Sequence, residues 1–338
     1  MSEQKGHHVS VSKGKSSRAH GTASFLLCLT LPILGSVTVS AGWARTATPA
    51  AISDCKLSEL GCQQDNRRDD SSVKTGKVKE PNSEGSLPIQ DNSFLVEEAY
   101  NQEFGVVQHI QNFQRYWNSK GWIYTFTQEW PVDAGPRHQL SYTLAALHAG
   151  DQPASGGGFG DVVLNYRYQL LGNGRAKVAF APRFSVLLST GDSRPGRGAG
   201  GTGIQGLLPL SVVLNRKLVT HWNAGTTIIP NARNTAGETG TTFGYNFGQS
   251  VVWLAHPRFN VLLETVFNRS QEVTAPKTTQ WTSDLLLSPG IRWAYNFKNG
   301  LQIVPGVAVP FGVGPSSGEK GVFIYLSLEH PYRKLAKE

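Results

Sequence analysis

Side chains with chemistry to offer stand at every second position over long stretches of this 338-residue chain. Asp161, Asn165 and Arg167 alternate with Val162, Leu164 and Tyr166, and Lys177 and Arg183 fall opposite Val178, Phe184 and Val186. Glu129, His221, Asn223, Glu264, Asp284 and Arg292 stand in similar alternating contexts. Carboxylates, guanidiniums and amides gathered on one face suit a wet passage. There an arginine either clamps a carboxylate in a bidentate pair or biases the passage toward anions. Arg167 and Arg183 are expected at neighbouring depths, bound to Asp161, Glu264 or Asp284 across a narrow bore or facing it as free cations. All eleven residues are candidates for lining a transport path.

Catalytic and metal chemistry finds less support. His138 and Ser141 are three apart, which puts them on opposite faces of a strand, and His221 has no Ser beside it in the sequence. The nine His show no HExxH spacing, so no metal site and no cofactor is expected. The glycine-rich stretches 156–160 and 196–203 open no helix, so phosphate cradling is not expected. They read as outer loops, where Arg194 and Arg197 could meet lipopolysaccharide phosphates. Cys55 and Cys62 have six residues between them and no nearby His, so a disulfide closing a small loop is expected in an oxidising compartment.

The elements that must carry these residues are strands. From Val162 to Leu170 the even positions are apolar and the odd ones largely polar, and Gly172-Asn173-Gly174 supplies a hairpin turn before the pattern repeats. Runs of about eleven residues exceed the usual strand but match a tilted bilayer crossing. Eleven further or overlapping candidates are read at 122–131, 138–148, 159–170, 177–189, 202–214, 217–229, 241–254, 259–269, 283–297, 300–311 and 321–329. Short connections (near 133–136, 172–175, 215–217, 256–258 and 298–300) alternate with long ones (150–157, 191–201, 231–240, 270–282 and 313–320). Outer-membrane barrels alternate in this way because periplasmic turns are short and outside loops long. Parity then demands one more upward strand, at about 104–115, for a total of twelve. The expected fold is all-β: a twelve-stranded antiparallel transmembrane β-barrel with a constricted lumen, behind a disordered N-terminal segment.

Composition agrees. Charged residues make up 17% of the chain, below the roughly 25% of a soluble domain. The formal net charge of +8 forms no basic stripe, so nucleic acid is not an expected partner. Residues 1–44 read as a cleaved signal peptide: Lys5, Lys13, Lys15 and Arg18, then an apolar run from Phe25 to Leu34, then small residues ending at Ala41 or Ala44. Residues 45–92 read as a flexible polar periplasmic segment, 93–332 as the barrel, and 333–338 as a C-terminal tail.

Two short motifs carry a family resemblance. Gly160-Asp161 opens a strand that ends Tyr166-Arg167-Tyr168, and Leu188-Ser189-Thr190-Gly191-Asp192 closes the next. This resembles the outer-membrane family named for the meta-pathway of phenol degradation. His221-Trp222-Asn223-Ala224-Gly225 is similar to that family too, although Ser189 stands where its second motif more often has Pro. The tail after Tyr332 also departs from the aromatic end usual in barrels. The resemblance covers residues 94–332 and implies an exported channel or transporter for aromatic or other hydrophobic compounds. The expected partners are outer-membrane lipids, lipopolysaccharide and a small-molecule solute, with oligomeric state open. The alternatives are a structural anchor whose loops bind a partner, or a barrel lipid hydrolase.

Overall fold

A computed structural model describes residues 92–132, 137–150 and 156–332. The signal-peptide reading, Cys55, Cys62 and the tail 333–338 lie outside the described residues. The chain forms a closed antiparallel barrel of twelve strands. They are β1 Val106–Tyr116, β2 Trp122–Pro131, β3 His138–His148, β4 Gly158–Phe159 with Val162–Tyr168, and β5 Val178–Phe180 with Arg183–Leu188. Then come β6 Gly203–Asn215, β7 Leu218–Arg233, β8 Thr239–His256, β9 Phe259–Ala275, β10 Thr278–Trp293 with Tyr295–Asn296, β11 Gln302–Ala308 with Phe311–Gly312, and β12 Gly321–Pro331.

Closure removes the edge that an open sheet would expose. The whole of β1 pairs with β12, from Val106↔Pro331 to Tyr116↔Gly321. The interruptions in β5 and β11 fall at Pro182 and Pro310, residues with no N–H to give the ladder. Burial alternates as the residue types demand: Leu164 is 46% exposed on the lipid face while Asn165 is 5% exposed on the inner one. Polar residues inside and apolar residues outside invert the soluble pattern, because lipid surrounds the wall and the polar groups pair across the lumen.

Two connections expected as long loops are mostly strand. β9 and β10 run on through 270–282 as a hairpin, with Gln271 opposite Trp281, and turn at Lys277 with φ of 59°. β7 and β8 likewise extend to Arg233 and from Thr239, which leaves only a short turn. Ser, Thr and Gln make up much of the β9–β10 extension, and the β7–β8 one is polar or small throughout. Beyond the bilayer a strand needs no apolar outward face, so the alternation that marks the lower halves is missing here.

Near this rim the wall has a notch. The β8–β9 ladder stops at Gly244↔Ser270, although β8 begins at Thr239 and β9 continues to Ala275. The Phe243 N–H donates across the notch to Gln271 Oε1 at 3.0 Å, and the Lys277 N–H to the Thr239 carbonyl at 2.8 Å.

Candidate functional site

The lumen is crossed by the chain itself. Residues 92–104 enter the barrel before β1 and run from the wall of β8–β10 over to β3–β5, against the half of the strands nearer the β4–β5, β6–β7 and β8–β9 turns. At Phe94, Leu95 and Val96 three successive N–H groups donate to one oxygen, Glu264 Oε1, at 3.0, 2.9 and 3.0 Å. Glu264 is wholly buried on β9, and this fan of donors suits a carboxylate removed from water. The Phe94 ring packs on Phe323 and Tyr325 of β12 with centroids 5.4 and 5.1 Å away. It fits because Gly290 and Gly306 carry no Cβ: one at Gly306 would stand 2.5 Å from the ring, and one at Gly290 2.7 Å.

Beyond Val96 the strap is clamped at both charge and backbone. Arg167 Nη2 donates to Glu97 Oε2 at 2.7 Å, and Arg183 Nη1 donates to Glu97 Oε1. The Glu97 backbone exchanges two hydrogen bonds with the Asn223 amide, both 2.8 Å long, as a neighbouring strand would. Gln169 does the same for the next turn of chain, donating to the Ala99 carbonyl at 2.7 Å and accepting from the Asn101 N–H at 2.9 Å. Gln139 accepts the Gln102 N–H at 2.6 Å and donates to Glu129 at 2.9 Å. Arg292 donates to the Asn92 carbonyl, and Ser93 to Ser250 at 2.6 Å. The wall thus meets the backbone groups that an extended segment without a sheet partner would leave bare.

The residues expected along the passage divide into three groups. Glu129, Arg167, Arg183, His221, Asn223, Glu264 and Arg292 are buried around the strap, and Asn165 links Ser141 and Ser185 just beside it at 3.2 and 2.7 Å. Asp161 and Asp284 lie toward the outer end and tie loops. Asp161 accepts the N–H groups of Gly191 and Ala199 at 2.8 and 2.7 Å, and Asp284 accepts the Ser316 hydroxyl at 3.2 Å. Lys177 stands exposed at the β4–β5 turn, outside the packed lumen.

The expectation that Arg167 and Arg183 bind Asp161, Glu264 or Asp284 is corrected: they share Glu97. Asp161 and Glu264 are engaged with backbone N–H groups and Asp284 with the Ser316 hydroxyl, and the strap brings an acid to within reach of both guanidiniums at once. Glu97 and Phe94 were not among the expected site residues. The signal that could have found them is an apolar triplet followed by paired acids, Phe94-Leu95-Val96-Glu97-Glu98, directly ahead of the first strand.

His221 does have a serine partner, on the next strand: Ser211 Oγ lies 2.7 Å from His221 Nδ1. Ser211 also accepts the Ala99 N–H at 2.8 Å, and the Tyr100 ring meets the imidazole edge-on at 6.1 Å. The pair is sealed beneath the strap and holds it.

Above the strap the bore widens into an outer cavity of about 280 Å³. Ala145, Leu147, Val163, Leu187, Ile229 and Val273 give it apolar walls, and both edges of the β8–β9 notch border it. Beside the strap only about 130 Å³ is left. The two motifs Gly160-Asp161 and Thr190-Gly191 meet at this level, where the Thr190 hydroxyl donates to the Gly160 carbonyl at 3.1 Å.

Neither a family model nor a curated protein sequence matches the chain. Solved structures do. An outer-membrane channel from Pseudomonas putida F1 superposes with a TM-score of 0.52 at 12% identity, over 69% of this chain and 97% of that one. The NanC porin gives 0.45 at 10% identity, over 65% and 98%, and the CymD monoaromatic hydrocarbon channel 0.33 at 12%, over 69% and 90%. The chain has the barrel fold of an outer-membrane channel. At such identities the likeness extends to fold alone.

Proposed function

We propose that the protein is an outer-membrane channel for small solutes, hydrophobic or aromatic ones among them, of the family named for the meta-pathway of phenol degradation. The observation that carries this reading is the pairing of an apolar outer cavity with a lumen closed below it by the strap. A hydrophilic pore would be wet from end to end. Here an apolar solute has a cavity to occupy, reached from the rim or through the β8–β9 notch, then a barrier of paired charges that it can pass only if the strap shifts. The residues gathered around the strap form the path, with Glu97, Arg167 and Arg183 as its gate. The P. putida F1 likeness supports the barrel, and the meeting of the two short motifs supports the family reading.

The protein sits in the outer membrane after removal of residues 1–44, with its outer rim among lipopolysaccharide. Entry of a monocyclic aromatic should be measured across outer membranes that bear lipopolysaccharide, since plain phospholipid passes such solutes unaided. Faster entry with the protein than without it is expected. Equal entry, with the protein folded and present, would remove the reading.

A further inference from the structure

We propose that the lipid-side face of β1 and β2 is the seat of a second copy of this chain. The outward side chains of β1 include His109, Gln111 and Arg115, and β2 adds Gln128. Elsewhere the outward face is largely what hydrocarbon requires, with Gln249 of β8 an exception. On β12 it presents Val322, Ile324, Leu326 and Leu328, and on β6 Ile204, Leu208 and Leu210. His109, Gln111, Arg115 and Gln128 therefore bring more polar groups to this sector than β12 or β6 carries.

Depth makes this informative. Gln111 stands midway along β1, directly opposite Leu326 of β12 and Phe126 of β2. Strand rise and tilt place it near the centre of the apolar band, far from either headgroup layer. Its carbonyl oxygen accepts the Tyr124 hydroxyl at 3.2 Å, and that of Gln128 accepts the Tyr142 hydroxyl at 2.6 Å. Among the described residues no acceptor meets either carboxamide NH2. His109 and His330 face each other, with their Nε2 atoms 3.2 Å apart. Acyl chains offer the NH2 of Gln111 no hydrogen bond at this depth, so a protein surface must.

The chemistry of the stripe selects a copy of itself. Carboxamides and imidazoles each both donate and accept, so two identical stripes related by a two-fold axis can satisfy one another. A partner of opposite charge is not called for, because no charge lies at the centre of the stripe. Aromatic rings flank it, Phe113 against Trp122 with centroids 6.3 Å apart and Trp130 against Tyr142 at 5.8 Å. Such rings are enriched at the cores of protein interfaces.

The test uses the full chain, with Cys28, Cys55 and Cys62 changed to Ser, in vesicles at high lipid-to-protein ratio. Gln111→Cys and Gln128→Cys should each cross-link to a dimer with a short bifunctional thiol reagent. Leu208→Cys, exposed on the far wall, should give several-fold less. The double variant Gln111→Leu/Gln128→Leu suits lipid and should fold, yet run as a single copy by native mass spectrometry where the unaltered chain runs as two. Equal cross-linking at Gln111 and Leu208, a single-copy mass for the unaltered chain, or cross-linking in native membranes to a different protein would each overturn the proposal.

Discussion

Glu97 and Arg167 lie 2.7 Å apart although seventy positions separate them in the chain. Arg183 reaches the same carboxylate from the neighbouring strand. The pair joins a segment that is not part of the wall to the wall itself, and with Arg183 it makes the proposed gate of the bore. Four predictions test this arrangement and the wall around it.

Glu97→Ala should release the strap. Two buried guanidiniums would be left facing each other, and breaking a buried pair costs about 3–5 kcal/mol. The lower end is expected, because the Glu97 side chain keeps 28% exposure and water can enter. Single-channel conductance in planar bilayers should rise and the melting temperature of the barrel fall. Unchanged conductance would mean that the barrier lies elsewhere.

Gly306→Val should have a similar effect on conductance by a different route. Its Cβ would stand 2.5 Å from the Phe94 ring and expel it from its slot. Gly206→Val is the control, since a Cβ there meets nothing nearer than 3.9 Å. The two variants should separate clearly, and equal conductance would show that Phe94 does not seat the strap.

Leu164→Arg should impair assembly into lipid vesicles. It places a guanidinium on the lipid face, at a cost of about 2–4 kcal/mol near the midplane. Asn165→Ala on the opposite face loses two hydrogen bonds to serines, about 1–3 kcal/mol in all, and should still insert. Folding yields ranked the other way would break the inside-outside assignment.

Cysteines at Phe243 and Gln271, bridged by a bifunctional thiol reagent, should pin the β8–β9 notch. Entry of an aromatic solute through outer membranes should slow while ion conductance stays the same, because ions follow the axis and the apolar solute reaches the cavity sideways. Unchanged solute entry would assign the whole route to the axis and leave the notch as rim structure.

The alternation of Leu164 with Asn165, or of Trp222 with Asn223, was legible from residue type alone, because strand parity is a local property and a bilayer punishes a wrong face heavily. Strand count followed from the same signal plus turn spacing, with β1 placed by parity where its own pattern is poor. That poverty has a reason: the outward face of β1 carries His109 and Gln111, so neither face reads as apolar. The inner positions of Arg167, Arg183 and Glu264 were legible too, but not their partners. Whether Glu264 meets an arginine or three backbone N–H groups depends on a segment more than 160 positions away, and no periodicity encodes that distance. The upper halves of β9 and β10 escaped for the opposite reason, since strands in water need no apolar stripe. Residue types along the chain decided which side of the wall each residue faces; only the closed barrel, by bringing residues 92–104 back into its own lumen, decided what the inner face binds.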